Sequence, residues 1–127
     1  MKSKLSIIEI ICDLDHTLYY HSYLTKILFK ISSFFHKSAL KTLSINSNIF
    51  NKIKNKNILI LTGRDDIYDK KIIIKKLQDD KITFDEIIMC PRKKLINNWK
   101  RDIVKEKLKI NKNLEWYDDE KDTIMSD

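Results

Sequence analysis

Asp13 and Asp15 stand two residues apart at the end of an apolar run, in the segment Asp13-Leu14-Asp15-His16-Thr17. A carboxylate can attack phosphorus and form an aspartyl-phosphate, provided that a cation screens its charge from the anionic substrate. Asp13 is placed for that attack. A second carboxylate two residues on can protonate the leaving oxygen and later deprotonate the attacking water, which suits Asp15 as general acid/base. Phosphoryl transfer rests on positioning and charge neutralisation more than on covalent machinery. A hydroxyl from Thr62, an ammonium and a Mg²⁺ site therefore complete a working set. A second acidic pair, Asp118-Asp119, closes the last apolar run of the chain.

The elements that must position these groups follow from the hydropathy pattern. Residues 5–14 (LSIIEIICDL) read as a buried strand that carries Asp13 at its carboxyl end. From His21 to Lys37, Leu24, Ile27, Leu28, Ile31, Phe34 and Phe35 recur at helical spacing, predicting an amphipathic helix. A weaker helical segment covers Asn46 to Lys54, and the run Ile58 to Leu61 is a second strand ending at Thr62-Gly63-Arg64. Asp65 and Asp66 are placed to cap a helix from Ile67 to Gln78, with Ile72, Ile73 and Leu77 on its buried side. Glu86 to Cys90 is a third strand, Lys94 to Lys109 a further helix, and Leu114 to Tyr117 a short last strand.

Strands alternating with helices of this length predict a three-layer α/β fold, a parallel sheet with helices on both faces. In such sheets the active site gathers at the carboxyl ends of the strands, where Asp13, Asp15, Thr62, Asp118 and Asp119 all fall. The spatial order third, second, first, last puts Asp13 centrally. The 127 residues suit one domain, and the stretch between Leu18 and Lys56 is too short for a large cap.

IICDLDHTL resembles the first motif of the haloacid dehalogenase (HAD) phosphatases, hhhhDxDxT, in which the first Asp is nucleophile and the second acid/base. LILTGR resembles the second motif, whose threonine binds the phosphoryl group, a role that passes to Thr62. The resemblance implies substrate-binding roles for Thr17, Gly63 and Arg64 as well. Lys100 in NWKRDIVKEKL matches the lysine that steadies the nucleophile and the phosphoryl charge. Asp118 and Asp119 in LEWYDDEKD match the acidic fourth motif, which holds Mg²⁺ with Asp13 and a backbone carbonyl, here that of Asp15. The fold implied is HAD-like and Rossmannoid. Within the family, LTGR, WKRDIVKE and YDD are most similar to the phosphatase domain of polynucleotide kinase-phosphatase and to the Swiss-army-knife RNA-repair-like group. Glu120 stands where those relatives often carry arginine. The expected partner is a phosphorylated substrate, with nucleic-acid and nucleotide phosphates as candidates.

The formal charge of +7 and pI of 9.3 favour anionic partners without choosing among them. Lysine mixed with isoleucine along the whole chain also fits ordinary solvated helix faces. The other class of function open to the chain is therefore a nucleic-acid-binding or regulatory module built on a catalytically weak HAD-like site. Cys12 and Cys90 lie in apolar runs and read as buried reduced thiols, which favours a cytoplasmic protein. Neither a signal peptide nor a membrane span is expected. Arg64 is a candidate contact for the substrate, with pairing to Asp65 or Asp66 as the alternative. His16, His21 and His36 read as structural or surface residues. Tyr19, Tyr20 and Tyr23 read as core packing, with stacking on a base as the alternative, and Trp99 and Trp116 read as core.

Overall fold

The computed structural model describes residues 7–31, 36–65, 69–91 and 95–125. Four of the apolar runs form the strands of one parallel sheet: β1 (Ile10–Cys12), β4 (Ile58–Asp65), β5 (Glu86–Cys90) and β6 (Glu115–Tyr117), in the order β5-β4-β1-β6. This is the predicted order. β1 lies between β4 and β6, and its three residues are at most 2% exposed.

Alternation along the strands divides the core in two. Ile10, Cys12, Ile58 and Ile60 join one apolar cluster with Ile73 and Leu77 of helix α4 (Lys70–Asp79). Leu40 of α2 (His36–Lys41) and Ile53 of α3 (Ser47–Ile53) complete that layer. Ile11, Leu59, Leu61 and Trp116 point the other way, against Val104 of α5 (Ile96–Ile110) and Ile124 of α6 (Lys121–Met125). Helices therefore cover both faces, and the architecture is α/β and Rossmann-like. No helix among the described residues is long and apolar enough to cross a membrane.

Several expectations need correction. The helix predicted over residues 21–37 is α1 (Tyr23–Ile31), with α2 as a separate element; Phe34 and Phe35 lie outside the described residues. The supposed buried stripe of α1 is only partly buried: Leu24 is 53% and Ile31 58% exposed, Ile27 and Leu28 are half-buried, and Thr25 is fully buried. Hydroxyl bonding explains the burial of Thr25. Thr25 Oγ1 lies 2.9 Å from Ser22 Oγ and 2.6 Å from Thr42 Oγ1, so the Thr25 side must face inward. Ser22 also caps the helix, its hydroxyl accepting from Thr25 N–H at 3.2 Å.

β1 stops at Cys12 because the chain turns at once: Leu18 N–H donates to Asp13 O at 3.3 Å and Tyr19 N–H to Leu14 O at 2.9 Å, a π-type turn. Beyond it, two strands too short for the periodicity to reveal, β2 (Tyr19–Tyr20) and β3 (Ser44–Ile45), pair antiparallel. Of the tyrosines expected in the core, Tyr19 is buried there, but Tyr20 is 51% and Tyr23 81% exposed. β4 runs past Leu61 to Asp65, pairing Thr62 with Met89 and Asp65 with Cys90 across a local irregularity. Asp65 thus belongs to the strand, Asp66 and Ile67 lie outside the described residues, and α4 begins after Asp69.

Cys12 and Cys90 are buried free thiols, as expected. Burial, reinforced by Asp13 and Asp118, pushes the Cys12 thiol far above its ordinary range, so it stays protonated.

Candidate active site

The carboxyl ends of β1, β4 and β6, with the first turns of α5, surround a cavity of about 340 Å³. It is lined by Asp13, Asp15, His16, Gly63, Arg64, Lys100, Asp119 and Glu120. Six of these are residues singled out from the sequence; His16 and Glu120 are additions.

Asp13 leaves β1 with its backbone N–H on Tyr117 O at 2.8 Å, so β6 fixes the point at which its side chain projects. Lys100, in the first turns of α5 and 5% exposed, donates to Asp13 Oδ1 at 2.9 Å and to Asp118 Oδ2 at 2.8 Å. One ammonium thus serves two carboxylates drawn from different strands. Burial, reinforced by Asp118, pushes the Asp13 carboxyl up to about 7, against the opposing pull of Lys100. Burial would lower the Lys100 ammonium, but its two carboxylate partners outweigh it and hold the group charged.

Asp118 Oδ1 accepts the backbone N–H of Glu120 at 2.9 Å, and Asp119 N–H donates to Thr17 Oγ1 at 3.0 Å. Thr17 therefore ties the turn after β1 to the acidic loop after β6. Thr62 is 1% exposed, and its hydroxyl accepts the backbone N–H of Arg64 at 3.2 Å. Gly63 packs under α5: a Cβ there would meet the Ile96 side chain at 3.1 Å, so the bare backbone permits this approach. Thr17, Thr62 and Asp118 stand behind the cavity wall rather than on it.

Asp15 faces a different set of partners. Arg64 Nε donates to its Oδ2 at 2.8 Å and Arg64 Nη2 to its Oδ1 at 2.6 Å, a two-point ion pair. His21 Nε2 lies 2.8 Å from the same Oδ1. Burial alone would raise the Asp15 carboxyl, but Arg64 and His21 outweigh it and hold the group below its ordinary range. Arg64 is thus directed at Asp15 and stands 5.0 Å over the Phe29 ring; Asp66 and the side chain of Asp65 are outside the described residues. The reading of His21 as a structural or surface residue is corrected: it is a partner of Asp15. No spacing rule marks it, because it arrives through the turn and the two-residue strand β2. His16 is exposed and stacks on His21 with ring centroids 4.2 Å apart; the side chain of His36 lies outside the described residues.

Oxygen atoms of Asp13, Asp118 and Asp119 lie within 4.8 Å of one another. An all-carboxylate donor set suits a hard divalent cation, and the three residues fit one. The charge balance argues for it too. Among the described residues, Asp13, Asp15, Asp119 and Glu120 line the cavity with Arg64 and Lys100 as the fixed cations, so a divalent cation joining them would ease the approach of an anionic substrate. The Asp15 carboxylate is not part of this group.

No family model and no curated protein matches the sequence. Among solved structures, the fold is similar to a chain of the Pnkp1/Rnl/Hen1 complex, with a TM-score of 0.55 and 18% identity over 90% of this chain and 38% of that one. A chain of the Pnkp1/Rnl/Hen1 RNA repair complex gives a TM-score of 0.53 and 20% identity over 87% of this chain and 33% of that one. This chain therefore spans between a third and two fifths of the length of each. At these identities the likeness concerns the fold.

Proposed function

We propose that the protein is a divalent-cation-dependent phosphomonoesterase of the HAD type, with Asp13 as nucleophile. The observation that carries this reading is Asp13 at the central strand end, bonded to Lys100, which in turn holds Asp118. Asp13 would attack phosphorus while the bond to the leaving oxygen breaks, Lys100 and the Thr62-Gly63 turn steadying the phosphoryl charge. Asp15 would take a proton from the water that hydrolyses phospho-Asp13, releasing phosphate, and hand that proton to the leaving oxygen of the next turnover. Asp13, Asp118 and Asp119 would hold Mg²⁺, which neutralises charge between nucleophile and substrate. Arg64 is the remaining substrate-side candidate on the cavity wall, and Thr17, behind it, would act through the acidic loop that its hydroxyl holds. Nucleic-acid ends enter as candidate substrates through the RNA repair complex to which the fold is similar.

Purified protein is expected to release phosphate from an aryl phosphate only with Mg²⁺, and Asp13→Asn to abolish release. Turnover that persists in that variant would end the proposed mechanism. A second reading, a nucleic-acid-binding module without turnover, is favoured by the +7 charge. Salt-dependent oligonucleotide binding with no Mg²⁺-dependent release from 3′- or 5′-phosphorylated oligonucleotides, nucleotides, sugar phosphates or phosphopeptides would select it.

A further inference from the structure

We infer that His21 is a positioning residue for Asp15, holding one oxygen of that carboxylate so that only the other remains open to proton transfer. The inference rests on the phosphatase reading for its kinetic consequence and on geometry for the contact.

Asp15 is engaged by a two-point bond from Arg64, whose guanidinium is always charged, so its oxygens act as acceptors and His21 Nε2 must be the donor. Oδ1 then accepts two hydrogen bonds, from Arg64 Nη2 at 2.6 Å and from His21 at 2.8 Å. Among the described residues, Oδ2 accepts from Arg64 Nε alone, at 2.8 Å. A carboxylate oxygen offers about two lone pairs, so Oδ1 is filled and Oδ2 keeps one acceptor direction. The proton taken from the attacking water would go to Oδ2.

The imidazole is itself held in place. His21 immediately precedes Ser22, whose hydroxyl caps α1, so the helix start fixes its backbone. The His16 ring stacks on it at 4.2 Å and Phe29 lies 5.5 Å away, leaving its side chain 13% exposed. His16 is fixed in turn by a left-handed backbone, φ 63°, and by its N–H bond to Tyr19 O at 2.7 Å. Asp15 is thus gripped from two independent elements, the end of β4 through Arg64 and the entry to α1 through His21. Such two-sided support keeps a reacting group in register.

Kinetics on an aryl phosphate, joined to a stability cycle, test this. His21→Ala is expected to lower kcat by about tenfold or more and KM in parallel, leaving kcat/KM within about twofold, because a misplaced proton acceptor slows hydrolysis of phospho-Asp13 without touching its formation. Rapid mixing should still show the first release of the aryl alcohol, with phospho-Asp13 accumulating behind it. His21→Gln places an amide N–H at the same reach and is expected to restore most of the rate. An unchanged kcat in His21→Ala, or equal slowness of both variants, would overturn the inference. Unfolding of wild type, His21→Ala, Asp15→Ala and the double variant should show coupling of about fivefold or more in the equilibrium constant. Additive losses would mean that the two side chains do not hold each other. A wild type that releases no phosphate would overturn the phosphatase reading and with it the kinetic role, leaving the cycle to decide the contact alone.

Discussion

Lys100 is asked to neutralise both Asp13 and Asp118, and one ammonium cannot fully satisfy two buried carboxylates. Burial, with Asp118 adding to it, accordingly pushes Asp13 up to about 7. A carboxyl raised in the folded state favours folding fully below its unfolded value near 4, and this contribution is lost as pH climbs towards 7. A divalent cation needs the ionised form, so its stabilising effect should run the opposite way. Saturating Mg²⁺ is expected to raise Tm by about 3 °C or more at pH 8 and distinctly less at pH 5.5. Thermal unfolding with Mg²⁺ and with a chelator at both pH values reads this out, and equal shifts would count against a cation on Asp13. In Asp13→Asn the contrast between pH values should shrink. At this scale, Asp13, Asp15 and the Asp118-Asp119 pair could be read from type and spacing because they close apolar runs, whereas Lys100, inside a helix, was marked by the resemblance alone. His21 could not be read either way, since its value depends on a turn that brings it back to Asp15.

Between the residue and the fold stands the short β2-β3 pair, which closes the turn beside the site. Tyr19 anchors it. The Tyr19 ring is buried and its hydroxyl donates to Asp80 Oδ2 at 2.7 Å, just past the end of α4. Burial first, then Asp80, pushes the Tyr19 hydroxyl well above its ordinary range. The neutral phenol is the form the fold favours, so this contribution is complete below about pH 10 and is lost as pH rises beyond it. Tyr19→Phe is expected to cost about 1–2 kcal/mol at pH 7, the range for a hydrogen bond to a charged acceptor in a partly buried place. It should also flatten the alkaline loss of stability. Urea unfolding at pH 7 and pH 10.5 measures both, and a variant as stable as wild type at pH 7 would remove the anchor. Long elements were legible: the apolar runs marked β1, β4, β5 and β6 and the stripe marked α5, while the sheet order came with the HAD-like fold that the resemblance implies. Two-residue strands carry no period to detect, and the inward side of α1 includes Thr25, bonded across to Thr42, which a hydropathy stripe does not mark.

Across the whole molecule, the sign of the charge is not uniform. The chain carries 25 lysines and arginines against 18 acidic residues. The described residues that line the candidate site are nevertheless rich in carboxylates, and lysines gather in other places. One place is a groove of about 530 Å³ between α2 and α4, lined by Lys41, Lys71, Lys75 and Lys76 with Asp79 among them. The sequence shows the excess but not this separation, because lysine is spread along the chain and only the packing of α2 on α4 gathers these four. The separation gives a test of whether the substrate is a polyanion. A small aryl phosphate meets only the site, so its kcat/KM should change by about twofold or less between 50 and 200 mM salt. A phosphorylated single-stranded oligonucleotide that also lies on a few lysines should lose about tenfold over the same range, since each neutralised phosphate adds to the salt slope. The pair Lys71→Glu and Lys75→Glu should then lower only the oligonucleotide rate and its salt slope, while aryl phosphate turnover stays as in wild type. If both substrates respond to salt alike, or the paired variant leaves the oligonucleotide rate untouched, the lysines are a solvated surface and the substrate is a small phosphate that never reaches them.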